Sequence, residues 1–220
     1  MRMRRIILYI LFCLPLATWG QGEWEVPDAP KTTTAKAKTD KQAKAEEAEV
    51  YEWARYVGDV VPIVDGNVEW RKTFSNHRSA EDNYALMLNF LTRMTEEEGQ
   101  LPPSKVQLVN KAEHKIVCHY EEWMVFMSSF LILNRTRFIY TLACDCYDNR
   151  VEVRLMRLNY LDDENNKGGV KIKAEEWITD KYALNKQRTR LSRITGKYRR
   201  KTVDRMEAIL NNINKLICSE

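Results

Sequence analysis

Apolar residues recur along this chain with two periods, about 3.6 and 2, and the switches between them divide it into elements. Over residues 79–98, Tyr84, Met87, Leu88, Leu91 and Met94 make one continuous helical face. Ser79 and Asp82 have capping-box spacing, Gly99 suits the left-handed end of a helix, and Pro102-Pro103 forbids continuation. Upstream, Asp65-Gly66 predicts a hairpin turn, and Val68, Trp70 and Phe74 give a strand with one apolar face. Val106, Leu108 and the run "HKIVCHYEEWMVF" predict two short strands. Period 2 is cleanest at Phe138, Tyr140, Leu142, Cys144 and Cys146, then, past an Asp148-Asn149 turn, at Val151, Val153 and Leu155. Met156, Leu158 and Tyr160 continue it one residue out of phase, which predicts a β-bulge near Leu155.

"LDDENNKGG", residues 161–169, is a polar loop. "AEEWITDKYALNKQRTRLSRI" reads as helical up to a break at Gly196. Beyond it, Val203, Met206, Leu210, Ile213 and Ile217 form the apolar stripe of a long C-terminal helix. The order defines an α+β domain, a curved antiparallel sheet packed against an N-terminal helix and a long C-terminal helix.

The pattern before residue 51 belongs to something else. Residues 6–16 are apolar but too few for a membrane helix, which needs about 20. They follow Met-Arg-Met-Arg-Arg and precede Thr18-Trp19-Gly20, the layout of a secretory signal over residues 1–20, cleaved near Gly20-Gln21; the alternative is an uncleaved anchor. Residues 21–50, rich in Ala, Lys, Thr and Glu, bury too little apolar surface to offset their ordering entropy and read as a disordered tether. Residues 51–220 then form a single domain with a helical C-terminal extension. No later segment is apolar enough for a transmembrane span, so the expected location is the periplasm or the exterior.

Signal removal changes the charge argument. The chain carries 35 basic and 31 acidic residues, net +4, and losing Arg2, Arg4 and Arg5 leaves 32 against 31, or +1. Bulk charge therefore gives no argument for nucleic acid. Export also places Cys118, Cys144, Cys146 and Cys218 in an oxidising compartment. Period 2 turns Cys144 and Cys146 to one face, where they read as small core hydrophobes, with a disulfide from Cys118 to one of them as the alternative. Cys144-Asp145-Cys146 lacks the second ligand pair of a zinc site, so no metal is expected, and no cofactor motif occurs. His77, His114 and His119 are scattered, no nucleophile motif accompanies them, and Glu121-Glu122, Asp162-Asp163 and Glu175-Glu176 are sequence neighbours rather than converging pairs.

The sharpest local feature is a basic run over residues 181–201 without an acid after Lys181, in which Arg188, Arg193, Arg199 and Arg200 are the candidate anion contacts. A solvated helix face balanced by acids elsewhere is the plainer reading. Trp123 and Trp177 each close a Glu-Glu-Trp triplet and either stack on a ligand or fill the core.

The segments "WRKTF", "HYEEWMVF", "RTRFIYTLACDCYDNRVEVRLMRLNY" and "AEEWITDKYALNKQRTRLSRITGKYRRKTVD" resemble a family of secreted proteins of Bacteroides-type bacteria, catalogued as a domain of unknown function with a fold like that of the TATA-binding protein. The resemblance spans residues 62–217 and implies a β-α-β-β-β-β-α, TBP-like domain, with no functional residue to transfer. Together these readings predict an exported binding or interaction module without catalytic activity. Its partner would be an envelope or extracellular protein or glycan, and not nucleic acid. The alternatives are an envelope-acting hydrolase and an anionic-polymer-binding module using the basic C-terminal helices.

Overall fold

The computed structural model describes residues 53–128, 133–162 and 169–218. All belong to one unit, Gln42–Glu220; the predicted signal and tether, and residues 163–168 of the polar loop, lie outside the described residues. Strands β1 (Ile63–Val64) and β2 (Asn67–Val68) turn through Asp65 and Gly66 at φ 51° and 79°. Two successive positive φ angles match the twist of the flanking strands, as the Asp-Gly pair predicts. Strand β3 (Trp70–Ser75) buries Trp70 and Phe74. Helix α1 (Ala80–Met94) starts where Ser79 Oγ accepts from the Asp82 N–H at 3.1 Å and donates to Asp82 Oδ2 at 2.7 Å. Its cap is Thr95, and Gly99, at φ 93°, redirects the chain beyond the end rather than at it.

Strands β4 (Lys105–Asn110), β5 (Lys115–Ser128), β6 (Leu133–Tyr147), β7 (Arg150–Asp162) and β8 (Val170–Lys173) complete an antiparallel sheet ordered β3-β7-β6-β5-β4, with β8 also on β7. In place of two short strands there is β4 followed by one strand of 14 residues. Glu122, which breaks the apolar pattern, points inward on β5, and Arg205 engages both of its carboxylate oxygens at 2.8 Å, so pairing continues through it. The bulge sits at Arg157, φ 56°, where pairing passes from Thr141↔Met156 to Ile139↔Asn159. One extra residue there accounts for the phase slip.

Both long helices cover the same face of the sheet. Tyr120 OH donates to Leu91 O on α1 at 2.9 Å, and Tyr160 OH meets Thr202 Oγ1 at 2.6 Å on helix α3 (Thr195–Cys218). Ile116, Phe138, Leu142, Val153 and Leu155 fill the space beneath, with Met87, Leu91, Val203, Met206 and Ile213 above. Each such side chain contributes about 1.5–3 kcal/mol by leaving water. The α3 stripe is Val203, Met206, Ile209, Ile213 and Ile217, and Leu210 lies at its margin. Among the described residues no helix is long and apolar enough to cross a membrane.

Residues 174–194 correct the helical expectation. They hold a 3-10 turn (Ala174–Glu176), the short helix α2 (Asp180–Ala183) and a loop. Asn185 stops the helix, since its Oδ1 accepts from the N–H groups of Thr189 (2.9 Å) and Arg190 (3.3 Å), a local alternative to helical bonding.

Cys118, Cys144 and Cys146 face the core as period 2 required, and Cys218 is exposed; all four are free, which corrects the disulfide alternative. In the β5–β6 register Cys118 stands opposite Leu142 and Cys144 opposite Ile116, so no cysteine faces another across the strands. Cys144 and Cys146 are neighbours on β6, 3.6 Å apart at sulfur; that hydrogen bond, then burial, raises the Cys144 thiol above its ordinary range.

Candidate functional site

The basic run does not form a stripe. Arg199 is fully buried, and its guanidinium donates to Tyr56 O (2.7 Å), Gly58 O (2.8 Å), Ile178 O (3.0 Å) and Asp180 Oδ1 (2.7 Å). It is therefore a strut, which corrects its assignment as an anion contact: every direction a ligand would approach from is filled by protein. Arg188 lies in the exposed 185–190 loop at φ 56°, its N–H held by Asn185 O at 2.9 Å. Lys181 stacks on Tyr182, 4.9 Å from the ring centre.

Arg193 and Arg200 converge with Lys197 on a cleft of about 340 Å³ beside the start of α3. Its opposite wall is Trp53 and Tyr56, and its floor is Leu191 with Ser192 and Gly196. The floor depends on one glycine: a Cβ on Gly196 would stand 2.7 Å from Leu191 Cβ, a distance side chains do not tolerate. Ser192 Oγ accepts the Gly196 N–H at 3.0 Å, and Thr195 Oγ1 donates to Tyr182 O at 2.6 Å, tying the helix start to α2.

The wall is fixed from behind. Arg199 grips the Tyr56 carbonyl, and Tyr56 OH donates to Asp204 Oδ1 at 2.8 Å. Burial, then the Asp204 carboxylate, pushes the Tyr56 phenol above its ordinary value, so it stays neutral in neutral water. Arg55 pairs with Glu207 and, at 3.7 Å, with Asp204. Among the described residues no acidic residue lines the cleft, and Arg193 and Lys197 have no ion-pair partner.

The other face of the sheet balances its own charge. Glu121 sits between His119 Nε2 (3.0 Å) and Arg137 Nη1 (3.1 Å), and Arg154 donates to Asp145 at 3.0 Å. Trp123 lies there with the Arg135 guanidinium 3.6 Å over its ring. Trp177 instead packs edge-on against Tyr198 at the core margin. His77 is exposed, and His114 rests against the Tyr84 ring. Among the described residues no cluster of three or more His, Cys, Asp and Glu side chains is arranged to hold a metal.

Sequence reasoning found Arg193 and Arg200 but missed Trp53 and Tyr56. These aromatics at i and i+3 stand where the low-complexity segment ends, and that composition change was the available signal.

The sheet order, with both long helices on one face, defines a TBP-like α+β fold. A family described as a domain of unknown function (DUF4468) with TBP-like fold matches residues 72–161. A crystal structure of a DUF4468 family protein from Bacteroides ovatus is 34% identical, with a TM-score of 0.69 over 76% of this chain and 95% of that one. The chain belongs to the DUF4468 family. A TBP-like protein from Parabacteroides distasonis shares the fold at 16% identity, with a TM-score of 0.59 over 73% of this chain and 98% of that one. No curated protein matches.

Proposed function

We propose that this protein is an exported binding module that seats an anionic ligand in the cleft at the head of α3. The observation that carries the reading is convergence: Arg193, Lys197 and Arg200 line one cleft whose described lining holds no carboxylate, and Arg193 and Lys197 have no ion-pair partner among the described residues. Clustered like charges repel, and an anion relieves that repulsion more strongly in a partly desolvated cleft than in open water. The signal over residues 1–20 supports an envelope or extracellular location. A hydrolase would need an acid–base pair converging on a cleft. This lining supplies Tyr56 and cations, with no histidine, which favours binding over turnover.

The test is retention of the chain from Gln21 onward on sulfated dextran beads across a salt gradient, with neutral dextran as control. The intact chain should be held at low salt and released as salt rises, and the double variant R193A/K197A should elute earlier. Equal elution of the two proteins would overturn the reading.

A further inference from the structure

We infer that the cleft accepts a small organic anion, a single anionic head on an apolar body about the size of one or two rings, rather than a length of acidic polymer. This rests on the anion-binding reading and narrows it. Three observations carry the narrowing.

First, the cleft is divided. Trp53, Tyr56 and Leu191 present apolar surface, while Arg193, Lys197 and Arg200 present charge. A bare inorganic anion would leave the aromatic wall unused, and a neutral apolar molecule would leave Arg193 and Lys197 unmatched. Only a ligand with both parts fits both halves.

Second, the size is that of a small molecule. About 340 Å³ falls at the lower end of the range for small-ligand pockets, about 300–1,000 Å³.

Third, the surface a polymer would track is missing. The nine basic residues of the run 181–201 would need to face one way. Instead Arg199 is buried, Arg188 is placed on a separate loop and Lys181 lies on Tyr182. Of the six others, Arg193, Lys197 and Arg200 gather as a local cluster at the cleft. Its apolar side is held in advance by the Arg199–Tyr56 and Tyr56–Asp204 bonds, so little ordering is needed when a ring enters.

The experiment is calorimetric titration of the chain from Gln21 onward with four probes: 1-naphthalenesulfonate, inorganic sulfate, 1-naphthol and dextran sulfate. The sulfonate should bind at least about tenfold more tightly than sulfate or 1-naphthol, a gap of about 1.4 kcal/mol. Trp53→Ala should lose most of that advantage, Trp53→Phe should keep it, and Lys197→Glu should abolish sulfonate binding. Unchanged melting temperatures for Lys197→Glu and Trp53→Phe separate ligand contact from folding. If dextran sulfate binds in an R193A/K197A-sensitive way while the sulfonate is no tighter than sulfate, the narrowing is overturned and anion binding stands. Sulfonate binding that ignores Lys197→Glu is surface adsorption and also overturns it. Failure of every anion to bind would remove both.

Discussion

Arg199 and Arg200 are consecutive on α3, yet they belong to opposite regions of the molecule. Arg199 is buried in a seam with four acceptors around it, while Arg200 turns into a cleft beside Arg193 and Lys197. In the seam, charge joins three chain segments, 56–58, 178–180 and α3. In the cleft, charge gathers with no carboxylate among the described lining residues. Helical geometry rotates successive side chains by about 100°, so a basic run on a helix divides between inside and outside. The count of cations says nothing about which of them a ligand can reach; the backbone carbonyls that meet them do.

The largest way to break this contrast is Arg199→Met. Methionine fills similar space but leaves Tyr56 O, Gly58 O and Ile178 O without their donor and Asp180 without its counter-charge. Losing one partner of a buried charge network costs about 3–5 kcal/mol. Arg193→Ala and Lys197→Ala, exposed and unpaired, should each stay within about 0.5 kcal/mol of the parent. Urea unfolding followed by tryptophan fluorescence measures all three. Similar midpoints for Arg199→Met and Arg193→Ala would erase the distinction between strut and cleft cation.

A pH titration sharpens the same contrast, because the arginines keep their protons throughout and the buried thiols and phenols do not. Burial pushes the Cys118 thiol up to about 11, and Tyr198 up to about 12, by burial first and then the Asp162 carboxylate. Below pH about 8.5 both the folded and the unfolded chain hold the Cys118 proton, so stability is unaffected. Between there and about 11 the unfolded chain releases a proton that the folded chain keeps. Stability therefore falls with rising pH, by about 2–3 kcal/mol for this one group. Cys118→Ala should flatten the decline between pH 9 and 11, read from urea midpoints at each pH and apart from any loss of packing at neutral pH. A parent whose midpoint holds constant from pH 8 to 11 would contradict the burial assigned to Cys118.

The strongly periodic parts of this fold were legible because their periodicity is their cause. The α1 face, the β6–β7 hairpin, its bulge and the α3 stripe follow from side chains that must leave water at fixed spacing. Residues 174–194 misled because "EEWITDKYALNKQ" has adequate helix formers, and the Asn185 cap that breaks it depends on side-chain bonds that propensity does not register. The run around Glu122 was legible as strand, but the partner that lets a carboxylate sit on its inner face was not: Arg205 lies 83 residues away. The cleft was half legible. Its cations stood in an obvious run, but Trp53 and Tyr56 reach them through long-range contacts such as Arg199 to Tyr56 O, across 143 residues, that no local pattern reports.

The smallest effect concerns the polar groups beneath the helices, and it asks whether every one of them is as well matched as Arg199. Tyr140 and Tyr160 both stand on the inner face with buried rings, in contact with Phe138. Tyr160 OH has Thr202 Oγ1 at 2.6 Å, whereas Tyr140 OH has no hydrogen-bond partner among the described residues. Arg205 and Gln100 approach that hydroxyl, but both direct donors to Glu122 instead. A buried hydroxyl without a partner gives up its water for nothing, so removing it is neutral or stabilising by up to about 1 kcal/mol. Tyr140→Phe should accordingly leave the urea midpoint unchanged or slightly raised. Tyr160→Phe should cost about 1–2 kcal/mol, because it leaves the fully buried Thr202 hydroxyl without this partner. A loss at Tyr140 as large as that at Tyr160 would mean that the hydroxyl joins the Glu122–Arg205 network and is as well matched as Arg199.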